Sequence, residues 1–158
     1  MVPPRTGSLP EKGRQLPAFR LTATDMTDIT PNALAGSRVV FNIFPSIDTS
    51  TCAASVRQFN QRAASFPNTR VVCVSKDLPY AHRRFCAAEG IENVLCVSQY
   101  KDHSFSDNYG VEIASGRMEG LFARVVIVAD TDGTIMHVEE CELGNEPDYV
   151  AVAAALSR

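Results

Sequence analysis

The stretch RVVFNIFPSIDTSTCAASVRQFN, residues 38–60, passes from an apolar run directly into a helical pattern. After Arg38, the run Val39 to Phe44 is apolar except for Asn42, which predicts a strand buried on both faces. From residue 53 to residue 66 the apolar residues recur at helical spacing with polar residues opposite them, which predicts an amphipathic helix. A strand that leads into a helix is typical of an α/β fold. At the junction between the two lies Cys52.

The rest of the chain continues this alternation. Four further segments carry strand or helix patterns: strands at 70–75 and 94–98, a short helix at 78–90, and a closing amphipathic helix at 146–157. Residues 121–140 predict an antiparallel hairpin that turns at Asp132-Gly133. This order predicts an α/β fold whose central mixed β-sheet is flanked by helices.

Composition limits the classes of function. A chain of 158 residues, 45% of them hydrophobic, supports one well-buried domain. The net charge is −3 and no basic stripe occurs, so we expect no nucleic-acid partner. No apolar run approaches the ~20 residues of a membrane span, and residues 1–15 lack the apolar segment of a secretory signal. We therefore expect a cytoplasmic protein without a membrane partner, with an irregular leader at 1–12 and the domain at 13–158.

Cys52 stands where the first predicted helix begins. Unpaired backbone N–H groups and the positive end of the helix dipole stabilise a thiolate at such a position. Thr49, Ser50 or Thr51 can cap the helix, which leaves another hydroxyl free to donate to the sulfur. Pro45 sets the direction of the chain before this turn and helps to exclude water. The sequence therefore predicts a nucleophilic thiolate at Cys52.

Arg124 interrupts an otherwise apolar strand, LFARVVIV, at residues 121–128. Burying a guanidinium is costly unless an anion meets it. Stabilising a thiolate also lowers its intrinsic nucleophilicity, so a fast reaction at Cys52 needs a further donor that stabilises the transition state. We predict that Arg124 is this donor. The alternative is that Arg124 points to solvent from a half-exposed strand.

At these residues the chain resembles a known family. The segments that carry the resemblance are NIFPSIDTSTCAASVRQFN (42–60), VSKDLPYAHRRFCAAEGIENV (74–94), YGVEIASG (109–116) and GLFARVVIV (120–128). They are similar to the thiol peroxidases, the atypical two-cysteine peroxiredoxins, and the similarity extends from about Gly7 to the C-terminus. The resemblance implies a thioredoxin-like fold.

The resemblance also implies a reaction. Cys52 would be the peroxidatic cysteine that becomes a sulfenic acid, Cys86 the resolving cysteine, and Pro45, Thr49 and Arg124 supporting residues. The chain would reduce alkyl or lipid hydroperoxides and hydrogen peroxide in antioxidant defence, form an intrachain Cys52–Cys86 disulfide, and be recycled by thioredoxin. The family forms homodimers, and we expect neither a metal nor an organic cofactor.

Cys52 and Cys86 belong to different predicted helices, 34 residues apart in the chain. Cysteines whose Cα atoms are more than ~7 Å apart cannot form a disulfide without backbone movement. We therefore expect local unfolding around one of them. The helix that carries Cys86 is the more labile candidate, because it is short and polar.

The chain departs from the family pattern in two places. Relatives usually carry an N-terminal β-hairpin before the segment that matches GSLPEKG, whereas only six residues precede Gly7 here. We expect that hairpin to be missing. Many relatives have proline in the loop before the arginine strand, where this chain has Arg117. This residue is expected to alter the dimer surface or the mouth of the site.

The remaining thiols and histidines have simpler interpretations. Cys73 and Cys96 lie inside apolar strands and are expected to be buried and inert. Cys141 follows two glutamates, which would raise its pKa. The three histidines, His82, His103 and His137, show no metal-ligand spacing and are expected to be surface or packing residues.

Two other functions remain open from the sequence. The chain would be a peroxide sensor if Cys52 passed its oxidation to a partner protein. It would be a non-catalytic thioredoxin-fold adaptor if Cys52 had no redox role. Turnover with a thioredoxin system separates the enzyme from the sensor, and any dependence on Cys52 excludes the adaptor.

Overall fold

A computed structural model describes all residues, Met1–Arg158. Twelve elements follow one another along the chain: β1 (Leu21–Ala23), β2 (Asp28–Ile29), α1 (Pro31–Leu34), β3 (Arg38–Ile43), α2 (Ser50–Ala63), β4 (Thr69–Ser75), α3 (Pro79–Glu89), β5 (Leu95–Ser98), α4 (Ser104–Tyr109), β6 (Arg124–Ala129), β7 (Ile135–Cys141) and α5 (Tyr149–Leu156).

The seven strands form one sheet in the order β2-β1-β5-β4-β3-β6-β7. The central strands β3, β4 and β5 are parallel, and the outer strands pair antiparallel. Val39 to Ile43 of β3 are all buried, as expected for a strand covered on both faces. Because β3 and β4 are parallel, their carboxyl ends meet at one edge of the sheet. The predicted α/β fold with a mixed sheet is confirmed.

A hydrophobic layer covers each face of the sheet. One layer contains the buried side chains of α2 and α5, with α3 packed against it. The other contains Leu34 of α1 and the aromatic residues of α4, where Phe105 and Tyr109 stack at 4.3 Å. Cys52 lies in the first layer. The helix that begins at the site is therefore anchored by the same core that holds the sheet together.

Helix α2 begins at Ser50, directly after Thr49, which is one of the three N-cap candidates in the sequence, whereas the apolar periodicity begins only at residue 53. Thr49 takes an extended N-cap conformation, and its carbonyl accepts a hydrogen bond from the Ala53 N–H at 3.0 Å. This bond closes the first helical turn before the apolar periodicity begins. Cys52 is consequently the third residue of the helix.

The predicted ends of α3 are confirmed. Pro79 is in the first turn, and Gly90 has left-handed dihedral angles, φ 66° and ψ 36°, just after the last helical residue. The predicted hairpin is also present between β6 and β7, and Gly133 at its turn has φ 85°. Asp148 caps α5 by accepting a hydrogen bond from the Ala151 N–H. Four short elements, β1, β2, α1 and α4, carried no sequence pattern long enough to predict them.

Residues 1–20 contain neither a helix nor a strand, yet they are tied to the rest of the chain. Arg5 forms an ion pair with Glu140 at 3.1 Å and donates to the carbonyl of Gly110 at 3.0 Å. Gly110 has φ +61°, and a Cβ at this position would lie 2.3 Å from the Ser8 carbonyl oxygen. Glycine is thus required where this segment crosses the chain. None of the helices combines the length and the apolar character that crossing a membrane demands.

Candidate active site

Cys52 lies in the first turn of α2 and is completely buried. Its carbonyl accepts a hydrogen bond from the Ser55 hydroxyl at 2.7 Å, and that hydroxyl accepts one from Asn42 Nδ2 at 3.1 Å. Asn42 is the single polar residue in the apolar run of β3. This buried chain of hydrogen bonds fixes the first turn of α2 against the sheet.

Arg124 is at the start of β6 and is 1% exposed. Its Nη2 lies 3.3 Å from the sulfur of Cys52. Nη2 and Nε also donate to the carbonyl of Leu143, at 2.9 and 3.3 Å. This burial excludes the alternative that Arg124 points to solvent. The carbonyl of Leu143 orients the guanidinium so that one edge of its fork meets the thiol.

One donor of the Arg124 guanidinium makes no hydrogen bond. Nη1 of Arg124 is buried and has no hydrogen-bond partner in the protein. A buried N–H of a charged group without a partner is costly and rare in folded proteins. Its presence beside a thiol indicates a place where an additional acceptor can be bound.

Pro45 and Thr49 bracket the loop that leads from β3 into α2. Pro45 is buried, whereas Thr49 is exposed. The Thr49 hydroxyl donates to the carbonyl of Ser46 at 3.0 Å and makes no side-chain cap to the helix. The sequence left open which hydroxyl would cap the helix and which would donate to the sulfur. In this structure Arg124 is the group that donates to the sulfur of Cys52.

Asp77, which no sequence pattern indicated as a site residue, anchors this loop. Its carboxylate accepts hydrogen bonds from the Ile47 N–H at 2.8 Å and from the Ser46 hydroxyl at 2.9 Å. Asp77 follows β4, which is parallel to β3, so the polar run Ser75 to Asp77 lies at the same sheet edge as Pro45. Polar residues at the carboxyl ends of adjacent parallel strands are a signal that could have found it.

His82 of α3 joins the same network. It is completely buried, and its Nε2 lies 3.0 Å from the hydroxyl of Ser75, which in turn donates to Asp77 at 2.5 Å. The hydroxyl can donate to Asp77 only if the Nε2–H of the imidazole donates to it, so the network fixes the tautomer. Of the two roles that the sequence left open for the histidines, His82 has the packing role and not the surface position. The network links α3 to the Cys52 loop.

Burial lowers the pKa of His82 below 6.5, while the charges of Asp77 and Asp48 oppose this shift. The unfolded chain then binds a proton at a higher pH than the folded chain, so the stability that neutral His82 gives is present above about pH 6.5 and lost as the pH falls below it. We expect the free energy of unfolding to drop between pH 7.5 and 5.5 on account of this residue, by no more than the linkage limit of about 1.4 kcal/mol for one group that titrates at 6.5 in the unfolded chain.

Urea unfolding of the parent, His82→Gln and His103→Gln at both pH values measures this effect. His103 is exposed and serves as the matched control. The pH-dependent loss should shrink in His82→Gln and persist in His103→Gln. An equal loss in the parent and His82→Gln would show that His82 does not couple protonation to folding.

The structure does not bring Cys86 to Cys52. Cys86 is half-buried on α3, where its sulfur lies 3.5 Å from the sulfur of Cys96 on β5. Cys96 pairs across the strands with Cys73 of β4, and both are buried as predicted. All five thiols are free. The two cysteines that the family resemblance pairs therefore have different neighbours in this state.

Two other predicted residues make no hydrogen bond to the Cys52 thiol, although Cys141 pairs with Arg124 across β6 and β7. Burial, followed by the charge of Glu139, raises the pKa of Cys141 to about 12, which confirms the predicted direction. Arg117 is exposed in the turn that precedes β6.

Comparisons with known proteins agree with this architecture. A family model described as Redoxin matches residues 11–153. Thiol peroxidases of Mycobacterium bovis and Mycobacterium tuberculosis are each 50% identical over 151 residues, which cover 95% of this chain and 90% of theirs.

Among solved structures, a peroxiredoxin-like protein from Aquifex aeolicus superposes with a TM-score of 0.91 at 28% identity, covering 98% of this chain and 91% of that one. The thiol peroxidase from Chromobacterium violaceum reaches a TM-score of 0.90 at 22% identity, with 98% and 90% covered, a similarity of fold. These neighbours confirm the thioredoxin-like fold.

Proposed function

Because the chain belongs to the redoxin family and is a peroxiredoxin-type thiol peroxidase, we propose that Cys52 is the thiol that peroxide oxidises and that Cys86 resolves it. The observation that carries the first assignment is the contact of 3.3 Å between the sulfur of Cys52 and Nη2 of Arg124, both buried. A cation held against a sulfur in a buried site stabilises negative charge that develops there during the reaction.

In the first step the Cys52 thiolate attacks the terminal oxygen of the hydroperoxide. The new S–O bond forms as the O–O bond breaks, and the remaining oxygen takes up a proton and leaves as water or an alcohol. Nη1 of Arg124 has no partner in the protein, so it is available to the oxygen on which charge develops. The first N–H groups of α2, which lack intrahelical acceptors, also stabilise negative charge at this place. The product is a sulfenic acid on Cys52.

The loop residues give the peroxide its position. Thr49 is exposed beside the first turn of α2, and its hydroxyl oxygen is free to accept a hydrogen bond from the peroxide O–H while its own O–H donates to the carbonyl of Ser46. Buried Pro45 closes the inner side of the loop. The layer of side chains that contains Cys52 is hydrophobic, and Phe44 and Val56 are completely buried in it. We propose that this site takes alkyl or lipid hydroperoxides as well as hydrogen peroxide.

In the second step the Cys86 thiol condenses with the sulfenic acid, which releases water and forms an intrachain disulfide. Arg124 lies on β6 and Cys96, the neighbour of Cys86, lies on β5, three strand spacings or about 14 Å apart. The sulfurs can meet only if part of α3 or the start of α2 opens. Helix α3 is the better candidate, because Pro79 and His82 are its only buried residues.

The disulfide is then reduced by exchange with a dithiol protein, for which we propose thioredoxin. Leu78 and Tyr80 are exposed at the start of α3, where an opened helix would meet such a partner. Exposed apolar side chains at one place support a protein contact. We further propose that the chain acts in the cytoplasm and forms a homodimer, as the family resemblance implies.

The resolving role gives a direct test. Cys86→Ser should retain one rapid oxidation by cumene hydroperoxide and lose thioredoxin-driven cycling, because the sulfenic acid finds no partner thiol within the chain. Peroxide-dependent NADPH consumption, coupled through thioredoxin and its reductase, measures cycling. Steady turnover equal to the parent would overturn the assignment of Cys86. A parent chain that is oxidised but never reduced by the coupled system would favour the peroxide sensor.

A further inference from the structure

Cys96, whose thiol lies next to that of Cys86, takes no part in the reaction described so far. The sulfurs of Cys86 and Cys96 are 3.5 Å apart, so closing an S–S bond between them needs a displacement of about 1.5 Å rather than the opening of a helix. Cys96 is 3% exposed and is covered on the helix side by α3. Both residues contribute to one apolar layer, and their thiols are reduced.

We propose that Cys86 and Cys96 form a second redox disulfide, which receives the oxidation first made at Cys52. This proposal rests on the function proposed above, since it begins from the Cys52–Cys86 disulfide. It assigns to Cys96 a role that its place in an apolar strand did not suggest.

The step is a thiol–disulfide exchange within the chain. The sulfur of Cys96, having lost its proton to solvent, attacks the sulfur of Cys86, the Cys86–Cys96 bond forms, and the Cys52–Cys86 bond breaks. Cys52 leaves as a thiolate and returns to Arg124. One disulfide is replaced by another, so no external oxidant or reductant is consumed in the exchange.

Two effects favour the Cys86–Cys96 disulfide over the Cys52–Cys86 disulfide. The Cys52–Cys86 disulfide holds part of the fold open, whereas a Cys86–Cys96 disulfide is compatible with folded α3, so closing the helix favours the second bond. Arg124 at 3.3 Å also stabilises Cys52 as the departing thiolate. The opening of α3 exposes Cys96 at the stage when it has to lose its proton. Because Cys96 stays on β5, the linked Cys52–Cys86 pair must approach it for the attack, which requires the start of α2 to open as well as α3.

The rate of the exchange is limited by the attacking thiol. The neighbouring Cys73 thiol and burial raise the pKa of Cys96, while Cys86 opposes the shift. The exchange should therefore be slower than the oxidation of Cys52. Its consequence is a free Cys52 in a chain that already holds one disulfide. Such a chain can reduce a second peroxide before any reductase arrives.

The test uses the full chain without reductant and cumene hydroperoxide as the probe. Trypsin leaves Cys86 and Cys96 together in residues 85–101 and Cys52 alone in residues 39–57. A Cys86–Cys96 disulfide appears as the intact 85–101 peptide minus two hydrogens. A Cys52–Cys86 disulfide appears as two linked peptides. We expect the linked pair to form first and the looped peptide to replace it, with about two equivalents of peroxide consumed.

Cys96→Ala should stop at the linked pair after about one equivalent, and Cys73→Ala, which removes the other buried strand thiol, should give the same disulfide and consume the same amount of peroxide as the parent. A parent chain that stops at a stable linked pair would overturn this proposal and leave the proposed function standing. A disulfide that joins Cys96 to Cys73 would also overturn it. If the linked pair never forms and Cys52 stays reduced, the proposed function itself fails.

Discussion

Cys52→Ser is expected to lose peroxidase turnover by more than about 10³-fold. A serine hydroxyl at this position remains protonated at neutral pH, and an alcohol does not reduce a peroxide bond as a thiolate does. The substitution removes one sulfur and keeps the first turn of α2, whose contacts with Ser55 involve the backbone of residue 52. The coupled NADPH assay with cumene hydroperoxide measures the loss.

Cys141→Ser provides the matched control, because Cys141 is also buried and lies beside Arg124 in the β6–β7 pairing. It should retain turnover close to that of the parent. Unfolding midpoints of both variants, compared with that of the parent, test whether the fold persists. Turnover of Cys52→Ser within about ten-fold of the parent would remove Cys52 from the chemistry.

Arg124→Lys is expected to slow the oxidation of Cys52 by about 10²-fold. The guanidinium contacts the sulfur and the Leu143 carbonyl at once and still has Nη1 free, whereas an ammonium is a point charge without this planar fork. The substitution keeps the positive charge and removes the planar arrangement of several N–H donors. Quenched-flow oxidation of the reduced chain without reductant isolates this step from recycling.

Arg38→Lys is the control for this substitution. Arg38 begins β3 and donates to the carbonyls of Leu156 and Arg158 at the end of the chain, away from the thiol. Its oxidation rate should stay within about two-fold of the parent. A similarly small change in Arg124→Lys would show that Arg124 serves the fold rather than the reaction.

The longer elements were predictable because their residues repeat a pattern. The apolar run of β3 and the helical spacing in α2 each extend over at least six residues, so burial on both faces or on one face is visible in the sequence. Strands β1 and β2 have three and two residues, and α4 has six. The conformation of β1 depends on pairing with β5, that of β2 on pairing with β1, and that of α4 on packing of Phe105, which no local pattern encodes.

The site was predictable only where one residue broke a pattern. Arg124 interrupted an apolar strand and Cys52 stood at a helix start, and these two residues prove to be in contact. Asp77 and His82 gave no such signal, because their link to the Cys52 loop arises from the meeting of β4, α3 and that loop. The contact between Cys86 and Cys96 likewise depends on how α3 packs on β5.

The most direct test of the central claim is the location of the first sulfenic acid. Cys86→Ser is treated with one equivalent of cumene hydroperoxide in the presence of dimedone, which captures sulfenic acids, and is then digested with trypsin. Our account predicts the adduct on residues 39–57, which contain Cys52 as their only cysteine. An adduct on a peptide that carries any other cysteine, with residues 39–57 unmodified, would contradict it.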